Sequence, residues 1–184
     1  FEEDWAIQPV VLSNYAKHYK TGEPIPKELL DKVVRASKFN QGFDTMEYLA
    51  AALLDLEWHT LTSEEIPADV EKFEATVLKT NGIDYAPVPP RYRTAYFAHI
   101  WSGGYSSSYY AYMWSEVLAA DAFAYMQSHG GLTRDNGQRF RDTILSVGGS
   151  REPMEAYKAF RGSEPTVDAL LIRRGLKYSS RGQK

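Results

Sequence analysis

The sequence predicts an all-α fold with little or no β-structure, and three observations carry that prediction. Apolar residues recur with a period of about 3.6 through almost every segment, as on a helix with one buried face. Almost no segment shows the alternation with period two that a half-buried strand requires. Glycine and proline fall mainly between the periodic segments, where they stop and start helices. The 184 residues, 43% hydrophobic and 24% charged, can bury one sizeable core, so one domain or one piece of a larger domain is expected.

The elements follow in order. An opening helix is expected from Glu2 to about Tyr19, with Pro9 as a kink or a fresh start. Thr21-Gly22-Glu23-Pro24 reads as a turn, and Pro26 as a first-turn proline for a helix over residues 26 to 37 with the stripe Leu29, Leu30, Val33 and Val34. After a break at Asn40-Gln41-Gly42, residues 43 to 61 are dense in apolar side chains and predict the most buried helix. A more polar helix over 68 to 78 ends at Asn81-Gly82. The prolines in Tyr85-Ala-Pro-Val-Pro-Pro-Arg-Tyr-Arg-Thr demand a loop, leading to Ala95–Trp101, which is either extended or a short helix. From Gly103-Gly104 a long helix is expected to His129, stopped by Gly130-Gly131. Three more helices are expected near 133 to 147, with Thr133 as N-cap, 152 to 161, and 165 to 173, begun by Pro165. The basic tail with Arg173, Arg174, Lys177, Arg181 and Lys184 reads as a solvated, frayed end.

Composition excludes several function classes. Lys and Arg number 21 against 24 Asp and Glu, a net charge of -3, which gives no footprint for a nucleic acid backbone, so no nucleic acid partner is expected. Apolar runs such as Tyr48–Leu54 fall far short of the roughly 20 residues of a membrane span. There is no cysteine, hence no disulfide, thiolate nucleophile or cysteine zinc site. The opening Phe1-Glu2-Glu3-Asp4-Trp5-Ala6 has no initiator Met, basic stretch or apolar signal core, so the chain is expected to begin inside a domain. The acidic run Glu2-Glu3-Asp4 is explained by the helix dipole.

The stretch most able to carry chemistry runs from His99 to Glu116. If a helix begins near Gly104, then Tyr105, Tyr109 and Tyr112 stand at i, i+4 and i+7 on one face, with Tyr110 elsewhere. Phenols with a pKa near 10 stay protonated at neutral pH, so they serve as hydrogen-bond donors to a carbonyl oxygen or developing oxyanion and poorly as bases. Gly103 and Gly104 would let a ligand backbone approach, and His99 stands just upstream as a further donor. Core packing is the competing explanation of an aromatic stripe; the hydroxyls among Ser106, Ser107 and Ser108 argue against it, because Phe would pack without a polar group to satisfy. His18 and His129 fall at polar helix ends, His59 in an apolar helix, and none has a companion at ligand spacing; no His-Glu-x-x-His, Gly-x-Ser-x-Gly, phosphate loop or dinucleotide fingerprint occurs.

The run His99-Ile-Trp-Ser-Gly-Gly-Tyr-Ser-Ser-Ser-Tyr-Tyr-Ala-Tyr-Met-Trp-Ser-Glu116 resembles the His-x-x-x-Gly-Gly-Tyr-x-x-x-Tyr-Tyr-x-Tyr-x-Trp-Ser signature of the thimet oligopeptidase (M3) family of zinc metallopeptidases. The resemblance extends through Glu3–Ala6, Ser37–Gly42, Ala51–Asp55, Pro89–Arg93, Gly131–Gly137 and Arg174–Leu176, with wording nearest the bacterial peptidyl-dipeptidase branch. It implies a helical fold, residues 1–184 being the C-terminal part of the catalytic lobe, and zinc bound by an HExxH pair and a glutamate, all upstream of Phe1. No metal is then expected on these residues alone. It also implies that Tyr109 and Tyr112 approach the scissile carbonyl, that His99 and Tyr105 contact substrate, and that Gly103-Gly104 form a mobile loop. The implied partner is an oligopeptide, from whose C-terminus dipeptides are released. An oligopeptidase of the same family, or a helical module that binds peptides without cutting them, are the alternatives. Alone, these residues are expected to be inactive and prone to self-association; a cytoplasmic location is expected, with a periplasmic one as the alternative, and no membrane partner.

Overall fold

A computed structural model describes residues 1–177. The fold is all-helical, and among the described residues the sole β-type pairing is an isolated antiparallel bridge between Lys17 and Pro24. In chain order the helices are α1 (Glu2–Ala6), α2 (Pro9–Tyr15), α3 (Lys27–Ala36), α4 (Gln41–Thr60), α5 (Val70–Thr80), α6 (Ala98–Trp101), α7 (Ala111–Ser128), α8 (Arg134–Phe140), α9 (Pro153–Arg161) and α10 (Asp168–Arg173). A 3-10 turn at Thr94–Tyr96 precedes α6, and α8 runs on into a π turn at Arg141–Leu145. No helix among the described residues is long and apolar enough to cross a membrane.

Most boundaries follow the local signals. Pro9 starts a fresh helix, filling the first position of α2, where a missing N–H costs nothing. Asp69 caps α5 by accepting from the Lys72 N–H, Thr133 caps α8 by accepting from the Asn136 N–H, and Gly82, Gly130 and Gly131 take the left-handed backbone after helix ends. Three helix boundaries need correction. The last helix begins at Asp168, after Val167 as N-cap, and not at Pro165. The opening helix stops at Tyr15 instead of Tyr19, because Ala16–Ile25 folds back on itself: the His18 N–H donates to the Glu23 carbonyl and the Ile25 N–H to that of Ala16. The long helix expected from Gly104 starts only at Ala111.

The chain folds as two compact units, one of Phe1–Phe39 with Ser115–Lys184 and one of Asn40–Trp114. In the first, Trp5, Ala122, Met126, Tyr157 and Phe160 form the core, edged by Phe1, Phe123 and Phe140. Buried Asp121 accepts from the Tyr157 hydroxyl (2.7 Å) and from Arg161 Nε (2.9 Å), and burial together with that carboxylate pushes the Tyr157 phenol far above its usual range. Asp4 is buried and receives both its hydrogen bonds from Arg173 (3.0 and 3.1 Å), so the helix dipole is not its whole explanation. Arg174 pairs with Glu116 and Lys177 lies 2.8 Å from Asp168. The start of the basic tail is therefore tied down by ion pairs, those of Arg173 and Arg174 to acids remote in sequence, and is not frayed, while Arg181 and Lys184 lie outside the described residues. The expected stripe on α3 is present, yet no residue of α3 is buried, and Val33 is 51% exposed.

The second unit is organised around α4. On one side Tyr48, Ala51 and Ala52 pack with Phe97, Ile100 and Tyr109; on another Ala50 and Leu54 pack with Val77 and Leu78. This is the helix expected to be buried on most of its circumference, and it supplies the floor beneath the aromatic segment.

Candidate active site

Residues 89 to 114 are seated on α4 and α5 by polar contacts, exposed at Arg91 and buried at Thr94. The Arg91 N–H donates to the Glu47 carbonyl (2.9 Å), and its guanidinium grips the Glu47 carboxylate through Nε and Nη2 (3.1 and 2.9 Å). Buried Glu74 accepts from both the N–H and the hydroxyl of Thr94 (3.0 Å each) and pairs with Arg93. The indoles of Trp58 and Trp101 donate to the hydroxyl and carbonyl of the same threonine. A carboxylate taken out of water needs such partners to offset its lost hydration.

Beyond α6 the two glycines serve different purposes. A Cβ on Gly103 would lie 2.9 Å from both the Cα and the carbonyl oxygen of His99, so no side chain fits there unless the backbone moves. Gly104 has open space around it but a φ of +80°, which disfavours any residue with a Cβ. The chain then makes consecutive turns through Tyr110, with Ser107 left-handed at φ +57°. These turns lie over Asp55, whose Oδ1 accepts from the Ser107 N–H and Oδ2 from the Tyr109 N–H, 2.8 Å each. His59 Nδ1 stands 2.8 Å from Asp55 Oδ1 and 2.8 Å from its own helix's Asp55 carbonyl. Tyr48 donates to the Tyr109 carbonyl and accepts from the Met113 N–H (3.2 Å).

The predicted aromatic residues are brought together, although not by helical spacing. The rings of Tyr105 and Tyr112 stack with centroids 5.1 Å apart, Tyr109 and Tyr112 meet at 5.3 Å, and His99 lies 6.0 Å from Tyr105 and 5.6 Å from Tyr109. Core packing describes one phenol and exposure another: Tyr109 is 3% exposed, wedged against Phe97 (4.7 Å) and Tyr48 (5.2 Å), whereas Tyr112 is 42% exposed. Tyr110 is exposed as well. A hydrogen bond to Tyr105, then lost hydration and the neighbouring phenols, push Tyr112 up to about 12. Burial likewise raises Tyr109, opposed by the adjacent Arg91 cation. Both phenols thus carry their protons at neutral pH.

Sequence patterns overlooked Tyr48, Asp55 and Arg91. Asp55 had a signal, a carboxylate inside the apolar run Ala50–Leu56, since an acid in such a run is costly unless it has buried donors to meet. Tyr48 looked like any core aromatic, and Arg91 like any loop cation. Among the described residues, no three His, Cys, Asp or Glu side chains converge as metal donors. His18 lies in the turn after α2 and His129 just past α7, where its Nδ1 is 2.8 Å from the Tyr125 carbonyl.

The sequence that builds this site matches a class of peptidases. The family description "Peptidase family M3" matches residues 1–176, and the chain belongs to that family, whose members are zinc metallopeptidases. It is 47% identical over 174 residues to the dipeptidyl carboxypeptidase of Salmonella typhimurium (strain LT2), covering 95% of this chain and 26% of that protein. To the Escherichia coli (strain K12) protein of the same name it is 46% identical, with the same coverage. Oligopeptidase A of E. coli is 41% identical over 177 residues, covering 96% of this chain and 26% of the relative. The chain therefore spans about a quarter of the length of these relatives.

Proposed function

We propose that this chain is the substrate-facing part of a zinc peptidase that releases dipeptides from the carboxyl ends of oligopeptides. The observation that carries the proposal is the Tyr105–Tyr112 pair, an exposed phenol with a firmly held proton beside a second phenol, in a chain of this family. Hydrolysis of a peptide bond develops negative charge on the carbonyl oxygen, and a preorganised donor stabilises that charge more than the neutral carbonyl before it. Tyr112 and Tyr109 are the phenols that face that oxygen, and a substrate carbonyl would replace Tyr105 as the acceptor of the Tyr112 proton. His99 and Tyr105 contact the peptide, and Gly103-Gly104 allow its backbone to come near. The zinc of the family would have its ligands in the part of the protein outside these 184 residues. Alone, the chain would be inactive, and the uncovered α3 stripe supports self-association of the isolated piece. The cytoplasmic location expected of the whole protein is checked by cell fractionation.

The complete zinc-loaded protein is incubated with one peptide bearing a free or an amidated C-terminus, and the products are read by mass spectrometry. Dipeptides from the free form alone support the proposal. Internal cleavage of both forms would make the protein an oligopeptidase instead. Tyr112→Phe is expected to lower kcat by about 10²- to 10³-fold, as for loss of an oxyanion donor, with KM little altered. Unchanged turnover would remove Tyr112 from the chemistry.

A further inference from the structure

We propose that the Asp55 carboxylate and the Tyr48 hydroxyl, seven residues apart on one face of α4, are positioning groups that hold the turn carrying Tyr105 and Tyr109 and the first turn of α7 carrying Tyr112. Packing does not account for either group. Asp55 is 0% exposed, as are Leu54 and Ala51 of the same helix, where an apolar side chain would avoid the loss of hydration. Besides the His59 imidazole, whose Nδ1 lies 2.8 Å from Oδ1, the carboxylate accepts a pair of hydrogen bonds from alternate amides, Ser107 and Tyr109, at 2.8 Å each. Between those amides the chain passes through Ser107 at φ +57°, a conformation that a residue with a Cβ keeps only when its surroundings dictate it.

Two helical turns earlier, Tyr48 completes the grip. Its hydroxyl donates to the Tyr109 carbonyl and accepts from the Met113 N–H, one of the first-turn donors of α7 that have no partner within the helix. Residues 107, 109 and 113 are thereby anchored to one rigid helix, and Tyr112 lies between two of those anchors. Tyr105 lies two residues before the first and stacks on Tyr112. Neither Asp55 nor Tyr48 needs to touch a substrate; resting on the peptidase assignment above, both act through the direction in which the Tyr112 phenol points.

The test uses the complete, zinc-loaded protein. Asp55→Asn and Tyr48→Phe are made singly and each combined with Tyr112→Phe. Steady-state constants are measured together with hydrogen exchange of the peptide covering 105–113. Asp55→Asn keeps the volume but turns one acceptor into a donor, so one of the two amides loses its partner. Expected are a fall in kcat of about 10²-fold, the usual consequence of misplacing a catalytic group by about 1 Å, little change in KM, and faster exchange confined to that peptide. In the Tyr112→Phe background, Asp55→Asn should cost clearly less than it does in the wild type, because part of what it positions is already gone. Wild-type kcat, losses that multiply in the double variant, or exchange that rises equally throughout the protein would each overturn the proposal. Should Asp55→Asn not accumulate folded, Tyr48→Phe carries the same cycle, with the same outcomes deciding. If Tyr112→Phe itself leaves turnover unchanged, the peptidase role of Tyr112 fails, and exchange at 105–113 still decides whether α4 holds the turn.

Discussion

Replacing Gly103 by alanine should open the aromatic turn, and the size of the effect follows from where the new methyl group would go. Its Cβ would lie 2.9 Å from His99 Cα, 2.9 Å from the His99 oxygen and 3.3 Å from the Ala98 oxygen, whereas carbon atoms in contact prefer about 3.5–4.0 Å. All three neighbours are backbone, so no rotamer change relieves the clash, and two strands of main chain must part by at least half the difference. The hydrogen bonds they share, from the Gly103 N–H to the Ala98 carbonyl (2.9 Å) and from the Tyr105 N–H to the His99 carbonyl (3.0 Å), lengthen with them. Overpacking of this kind costs about 1–3 kcal/mol. At about 1.4 kcal/mol per factor of ten, local amide exchange across 99–112 should quicken by about 5- to 150-fold. Gly104 supplies the contrast. Its missing Cβ would meet nothing within 4 Å, but its φ is +80°, so alanine there costs about 1–2 kcal/mol through the dihedral alone. Asparagine tolerates that region and alanine does not; hence Gly104→Asn should exchange more slowly than Gly104→Ala, while Gly103→Asn should be at least as disruptive as Gly103→Ala. Hydrogen exchange read by mass spectrometry on the complete protein decides. Wild-type exchange in Gly103→Ala, or rescue by asparagine at 103 and not at 104, would refute the geometric reasoning.

The Tyr112 phenol, raised from 10.0 to about 12, should appear near the higher value in an ultraviolet difference titration of the protein against Tyr112→Phe. The fold favours its protonated form, so that contribution to stability is complete below pH 10 and is lost as the pH climbs through about 12; a phenol titrating near 10 would count against the Tyr105 hydrogen bond. Asp121→Ala leaves Tyr157 and Arg161 without their shared acceptor and should cost about 3–5 kcal/mol in urea unfolding. Asp121→Asn should cost less, since it keeps an acceptor, and equal losses would show that the charge carries the whole effect and the neutral acceptor none of it. The isolated 184 residues should carry far less than one equivalent of zinc by elemental analysis, as no donor cluster forms among the described residues; stoichiometric metal would contradict that expectation.

Local signals within the sequence determined where most helices start and stop. Pro9, Asp69, Thr133, Gly82 and Gly130 act on a single helical turn, through a missing N–H, a side-chain cap or a left-handed backbone. The aromatic cluster was legible for the same reason: His99, Tyr105, Tyr109 and Tyr112 lie within one short stretch of sequence and cannot stray far from one another. Tertiary structure decided what holds them. Helical periodicity would carry α7 back to Gly104, but the segment up to Tyr110 is made of turns over the Asp55 carboxylate, a partner 52 residues away from Ser107. The pairing of Arg173 with Asp4 spans 169 residues and overturns the frayed tail in the same way. A cap or a turn is written in neighbouring residues, whereas the partner of a buried charge is chosen by the packing that brings distant helices together. The sequence therefore announced the phenols, and only the fold assigned the acid beneath them.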